Sequence, residues 1–143
     1  MAKGEGAPWW RDSLFMGALL LPLPFWIWGI IQRQHWVLPP IWLLVWIGPV
    51  LEELAFRGGI QGWLLDKPWG TVHFGPVTVA NLFTALIFSA MHRFTKDDVW
   101  SLLTVFPGLL FGFFRERYGQ LLPVIILHSY YNTGLLLNNW MTS

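Results

Sequence analysis

Cysteine is absent and charged residues are scarce, and these two lacks exclude a good deal before any motif is read. Without cysteine there is no disulfide, no thiolate metal ligand and no thiol nucleophile. Lys, Arg, Asp and Glu together make up 12% of the 143 residues, against roughly 25% in an average soluble domain. Nine basic and eight acidic residues give a formal net charge of +1, so no nucleic acid or other polyanion is expected as a partner. Internal repeats and low-complexity segments are also missing.

What is abundant is apolar surface. Hydrophobic residues reach 55%, with eleven Trp and eleven Phe, more than a soluble fold of this length could bury. The Trp residues lie mostly near the ends of apolar stretches, where aromatic rings anchor at a bilayer interface. The expected fold is therefore all-α, a polytopic transmembrane helical bundle of about five spans in the cytoplasmic membrane of a bacterial or archaeal cell. Residues 1–13, with Lys3 and Arg11, form a cytoplasmic or interfacial tail, and residues 14–143 form a single helical domain. The spans are expected at Leu14–Ile31, kinked by Pro22 and Pro24, then Pro40–Leu65, Val77–Phe94, Val99–Phe114 and Leu121–Trp140. Asp66 to Pro76 reads as a breaker-rich loop, and Arg115 to Arg117 as a basic turn. Val99–Phe114 is short for a bilayer crossing and is expected to draw on Asp97 and Asp98 or to sit at an angle.

The anomaly lies inside the spans. Glu52, Glu53 and Arg57 fall near the middle of the second, where one charged residue costs roughly 2.5 to 3.5 kcal/mol on insertion scales. Glu53 and Arg57 stand four apart and share a helical face, so they can neutralise each other. Glu52 points about 100° away around the helix and is left as the unpaired carboxylate, in a low-dielectric setting that suits general-base work. Pro49 removes a backbone donor beside it and is expected to open the helix there. Gly58 and Gly62 form a small-xxx-small pair that would admit a neighbouring helix, whereas Pro107, Gly108 and Gly112 would make the fourth span bendable and a candidate substrate entrance.

Two histidines extend the pattern. His92 follows Phe88 by four residues and His128 precedes Asn132 by four, so each pair shares a face of its own span. A water held between a carboxylate and an imidazole is a plausible nucleophile for amide hydrolysis, and a second imidazole with a carboxamide can donate to the developing oxyanion. No Ser or Cys is needed.

The segments Glu52-Glu53-Leu54-Ala55-Phe56-Arg57, Phe88-Ser89-Ala90-Met91-His92 and His128-Ser129-Tyr130-Tyr131-Asn132 resemble the EExxxR, FxxxH and HxxxN motifs of the CAAX-protease and bacteriocin-processing (CPBP, or Abi) intramembrane endopeptidases. Each pattern alone is weak, but the three occur in order on separate spans across a motif core of residues 40–140. The resemblance implies that Glu52 and His92 activate water, that His128 and Asn132 hold the oxyanion, and that Glu53 and Arg57 organise the site. It further implies a peptidase with no catalytic metal, whose partners are the bilayer and a membrane-anchored protein or peptide substrate, as in a compact bacterial enzyme trimming the anchor or leader of another protein.

Other readings use the same residues. Two carboxylates, two histidines and Asn132 could form an N/O shell for zinc in a metalloprotease. Intramembrane Glu and His chains also serve proton relays, and a non-catalytic immunity or binding protein could keep such a cluster for interaction. Glu53 with Arg57 could be a structural pair, and His128 with Asn132 interhelical glue. Phe88 is expected to pack behind the histidine, and His35 and His73 have no assigned role.

Overall fold

The structure is a computed structural model that describes residues 8–33, 37–96 and 99–142. The expectations placed on Lys3, His35, Asp97 and Asp98 lie outside the described residues.

Each apolar stretch forms helix, and prolines decide where the helices break. A single 3-10 turn at Trp9–Arg11 leads to Asp12, whose carboxylate accepts from the Leu14 N–H at 2.9 Å and caps helix α1, Ser13–Ala18. Pro22 cannot donate to the Ala18 carbonyl, and the chain turns there before resuming as α2, Leu23–Ile31. The freed Ala18 oxygen accepts instead from the Tyr131 hydroxyl at 2.8 Å. The long helix α3 covers residues 41–65 and is wound in the wider π register at Leu43–Ile47 and again at Leu54–Gln61. Its connection to α4 contains a minimal hairpin, β1 (His73–Phe74) paired antiparallel with β2 (Val77–Thr78) around Gly75 at φ 62. Helix α4 is Val79–Lys96, a 3-10 segment covers Val99–Thr104, α5 is Val105–Tyr118 and α6 is Leu122–Thr142.

The fourth stretch runs longer than its sequence suggested. Arg115 to Arg117 is not a turn but the last turn of α5, which stops at Gly119 in the left-handed region (φ 65). Cations at a helix C-terminus meet its negative dipole end favourably. Asp12 ties this end to α1 through Arg117 Nε at 2.6 Å and the Tyr118 hydroxyl at 2.9 Å.

Polarity is arranged inside out. Glu53, Arg57 and Gln61 are fully buried, as are Asn81 and Thr84, while Ile41, Trp46, Phe83, Leu86, Phe106 and Leu122 point outward. Water would not favour that surface, whereas hydrocarbon would. Among the described residues two stretches are long and apolar enough to cross a bilayer, Ser13–Ile31 at mean hydropathy 2.0 and Val99–Tyr118 at 1.2. The helices bearing Glu52, His92 and His128 are not among them, because ionisable and amide side chains lower their mean hydropathy.

Close packing falls on different glycines from those expected. A methyl at Gly58 would meet only the Leu121 side chain beyond its own helix, and one at Gly62 would meet nothing outside α3. Gly108 instead lies against Ala85 and Phe88, and Gly112 against the Asn81 amide, so α5 presses its backbone onto α4. The same approach exposes α5 carbonyls to side-chain donors: Asn81 Nδ2 reaches Leu109 O at 2.9 Å and Gln61 Nε2 reaches Gly112 O at 3.1 Å. These glycines serve helix contact. On the other side, Gly134 receives the Trp26 indole and docks α2 on α6. Phe15, Ala18, Phe111, Phe114, Val124 and Leu127 form the apolar core joining α1, α5 and α6.

Candidate active site

The site begins with a backbone irregularity in α3. In the π register each N–H bonds the carbonyl five residues back, and the Gly48 N–H duly bonds Leu43 O. The next donor in that series would be residue 49, which is proline, so the Leu44 carbonyl is left without its backbone partner. Asn132 Nδ2 donates to it at 2.9 Å. Tyr131 and Asn132, adjacent on α6, thus each satisfy a carbonyl released by a proline elsewhere in the chain, and together they seat α6 against α1 and α3.

One turn beyond this opening, Glu53 and Arg57 lie fully buried as an ion pair, with Glu53 Oε2 and Arg57 Nε 3.3 Å apart and Nη1 donating to Oε1 at 3.3 Å. Arg57 Nη2 donates to Gly108 O at 2.9 Å, and the guanidinium carbon sits 4.5 Å from the Phe88 ring centre and 5.5 Å from that of Phe111. A planar, weakly hydrated cation enclosed by aromatic faces is the form in which buried positive charge is best tolerated. Glu53 does more than balance that charge. Its Oε1 also lies 2.7 Å from His128 Nδ1, a contact between residues 75 apart that no helical spacing signals.

Both histidines are held by one nitrogen and turned toward Glu52 by the other. A backbone carbonyl can only accept, so His92 Nδ1–H donates to Phe88 O at 3.0 Å. His128 Nδ1 correspondingly faces the Glu53 side chain that pairs with Arg57, and its ring stacks on Phe111 at 5.0 Å between centres. Phe88 fills the angle between them, 4.4 Å from the His92 ring and 5.9 Å from that of His128. The remaining nitrogens converge: His92 Nε2 lies 3.9 Å and His128 Nε2 3.8 Å from Glu52 Oε2. These separations exceed a direct hydrogen bond and suit groups bridged by one small polar molecule. Glu52 Oε2 is itself buried and has no hydrogen-bond partner among the described residues.

Glu52, His92, His128 and Asn132 all line one cavity of about 360 Å³ between α3, α4 and α6, together with Leu44 and Gly48. A smaller cavity of about 100 Å³ shares His92, Lys96, His128 and Asn132 with it. Among the described residues no group of three or more His, Asp or Glu is arranged to hold a metal ion. Glu53 and both Nδ1 atoms are already committed to protein partners, so of the residues considered for zinc only Glu52 and the two Nε2 atoms face one another with free donor atoms. The sequence reading did not single out Phe111 or Lys96. Nothing in the sequence marks Phe111 as the stacking partner of His128, but Lys96, four residues after His92 on the same helix, was open to the same spacing argument.

Comparison with known proteins adds one result. No curated protein and no solved structure matches the chain. The family model described as type II CAAX prenyl endopeptidase Rce1-like matches residues 34–134, over two thirds of the chain, including all of α3, α4 and α5 and every residue of the cluster around Glu52. The chain therefore belongs to the Rce1-like family of type II CAAX prenyl endopeptidases, which are integral membrane proteases.

Proposed function

We propose that this protein is a multi-pass membrane endopeptidase that hydrolyses a peptide bond in a membrane-anchored protein, using water activated by Glu52 and His92. The observation that carries the reading is the convergence of His92 Nε2 and His128 Nε2 on Glu52 Oε2 at 3.9 and 3.8 Å, with both Nδ1 atoms fixed from behind.

In this mechanism a water donates to Glu52 Oε2 and to the lone pair of His92 Nε2. Its oxygen adds to the scissile carbonyl carbon while its proton passes to Glu52, and the carbonyl electron pair moves onto oxygen. His128, with Glu53 as countercharge, presents Nε2–H to that oxyanion. Asn132 Nδ2 spends one hydrogen on Leu44 O and has a second for the same task. Collapse of the tetrahedral species expels the amine, which takes the proton from Glu52, leaving a carboxylic acid and a new amino terminus. Arg57 and Phe88 touch no reacting atom and position the groups that do.

Such a scheme requires no metal and no serine or cysteine. The zinc-dependent alternative would draw on Glu52, His92 and His128, and hydrolysis that persists in chelator-treated protein argues against it. The functional test is co-expression with membrane-anchored substrate proteins, comparing their lengths in cells carrying the wild type and Glu52→Gln. Shortened products only with the wild type are expected. Identical products in both, or a cellular phenotype unaffected by Glu52→Gln, would favour a binding or immunity role instead.

A further inference from the structure

We infer that the cavity around Glu52 opens on the extracytoplasmic face of the membrane, so that its substrates are exported proteins cut where their anchor leaves the bilayer on that face; the substrate half of this assignment rests on the peptidase reading above. The helices alternate between two ends of the bundle. One end gathers Asp12, the hairpin and the last turn of α5, joined by Arg117 and Tyr118 on Asp12 and by the Thr78 hydroxyl on Glu116 Oε1 at 2.6 Å. The other gathers the end of α2, where Gly29 meets Asn138 of α6, with the approach to α3 and the end of α4. The site communicates with this second end. Val37, Leu38 and Pro39, just before α3, form one wall of the larger cavity, and Thr95 and Lys96, closing α4, form the other. Val37, Thr95 and Lys96 are exposed there.

Toward the first end the way is shut. Glu53, Arg57 and Gln61 follow one another along α3, all fully buried. Arg57 is bonded to Gly108 O, and Gln61 Nε2 donates to Gly112 O and, at 2.7 Å, to Glu116 Oε1. Among the described residues, none beyond Phe56 on α3 and none before His128 on α6 lines either cavity. A hydrolase consumes water and releases two polar chain ends, so its route to solvent has to run through the second end. The cations set which way that end faces. Arg11, Lys67, Arg115 and Arg117 belong to the first end, with Lys3 preceding Arg11 in the sequence, against Arg33, Arg93 and Lys96 at the second. Lys67 also holds its ammonium 4.7 Å from the Trp63 ring centre, pairing a cation with an interfacial aromatic. Short connections richer in Lys and Arg stay in the cytoplasm, which puts Asp12 and Gly119 inside and the cavity mouth outside. An exported domain held by an anchor presents its bond at that mouth, whereas a tail displayed on the cytoplasmic face meets the closed end.

The absence of cysteine makes the orientation directly measurable, because one introduced cysteine is the sole thiol of the chain. Thr95→Cys and Val37→Cys place it on either wall of the mouth and Gln120→Cys at the opposite end, all at exposed positions outside the catalytic groups. In sealed spheroplasts expressing the full chain, a membrane-impermeant maleimide should label both mouth positions at once and Gln120→Cys after permeabilisation alone. Labelling of Gln120→Cys in sealed spheroplasts with the mouth positions protected would overturn the assignment, as would equal labelling at both ends. The substrate half is read with two single-span reporters that share one tagged anchor segment, the first exporting its folded domain and the second leaving it in the cytoplasm, each co-expressed with wild type or Glu52→Gln. The wild type should shorten the exported reporter and leave the cytoplasmic one intact. Glu52-dependent shortening of the cytoplasmic reporter, alone or with the other, would overturn the inference while keeping the peptidase reading. No Glu52-dependent shortening of either, with the mouth labelled from outside, would sink the peptidase reading and the substrate assignment with it, and uphold the outward-facing cavity.

Discussion

Glu53 sits between two partners, and replacing it separates its structural from its chemical contribution. Glu53→Gln removes the charge opposite Arg57, a guanidinium with no solvent exposure whose other contacts include Gly108 O at 2.9 Å and the Phe88 and Phe111 faces at 4.5 and 5.5 Å. Breaking a buried pair from one side costs about 3–5 kcal/mol, because the surviving charge is stranded. Removing both charges relieves that penalty, so Glu53→Gln with Arg57→Met should regain at least half of the lost stability. Activity should not follow. A glutamine oxygen can still accept from His128 Nδ1, now 2.7 Å from Glu53, but it brings no countercharge for an imidazolium facing the oxyanion. The double variant should therefore stay at least tenfold below wild type, about 1.4 kcal/mol in barrier. Thermal unfolding in detergent reads the first quantity and peptide cleavage the second. A double variant that regains stability and cleaves within tenfold of wild type would refute the role given to Glu53, and a fully stable Glu53→Gln single variant would refute the energetics.

Further expectations are local. Tyr131→Phe leaves the Ala18 carbonyl, already deprived of a donor by Pro22, without its side-chain partner, and should cost about 1–3 kcal/mol of stability in detergent melting. Gly112→Ala forces the Asn81 amide, which is buried and bonded to Leu109 O, to move, whereas Gly17→Ala meets open space; the first should lower the melting temperature and the second leave it within error. Burial alone would raise the Asp12 pKa, but hydrogen bonds from Arg117, the Leu14 N–H and Tyr118 outweigh it and hold the group below its ordinary 3.8. A depressed carboxylate stabilises the folded state above its unfolded value and loses that contribution as pH falls through the folded one. Asp12→Asn should therefore be less stable than wild type at neutral pH and indistinguishable from it once pH drops well below 3.8.

Local features of the site were legible where helical spacing decides them. Glu53 with Arg57, Phe88 with His92, and the break at Pro22 follow from intervals of four and from a missing N–H, both visible in the chain. Contacts across helices left no such trace. The interval between Glu53 and His128 has no period, and Phe111 beneath His128 is one Phe among eleven. Glycine pairs show why composition alone misleads: Gly58/Gly62 and Gly108/Gly112 have the same spacing, yet only the second faces another helix backbone. Which face of a helix meets a neighbour depends on the whole bundle. Pro49 stood between these cases, since its missing donor was plain from sequence but the π register that directs the loss to Leu44, and so to Asn132, was not.

Hydrolysis by chelator-treated, purified protein, with kcat/KM of the wild type set against that of Glu52→Gln on one membrane-anchored peptide, probes the central claim most directly. General acid–base groups contribute about 10²- to 10⁴-fold, so the account requires a loss of at least a hundredfold in a variant that melts like the wild type. A Glu52→Gln protein that cleaves within tenfold of wild type would contradict it.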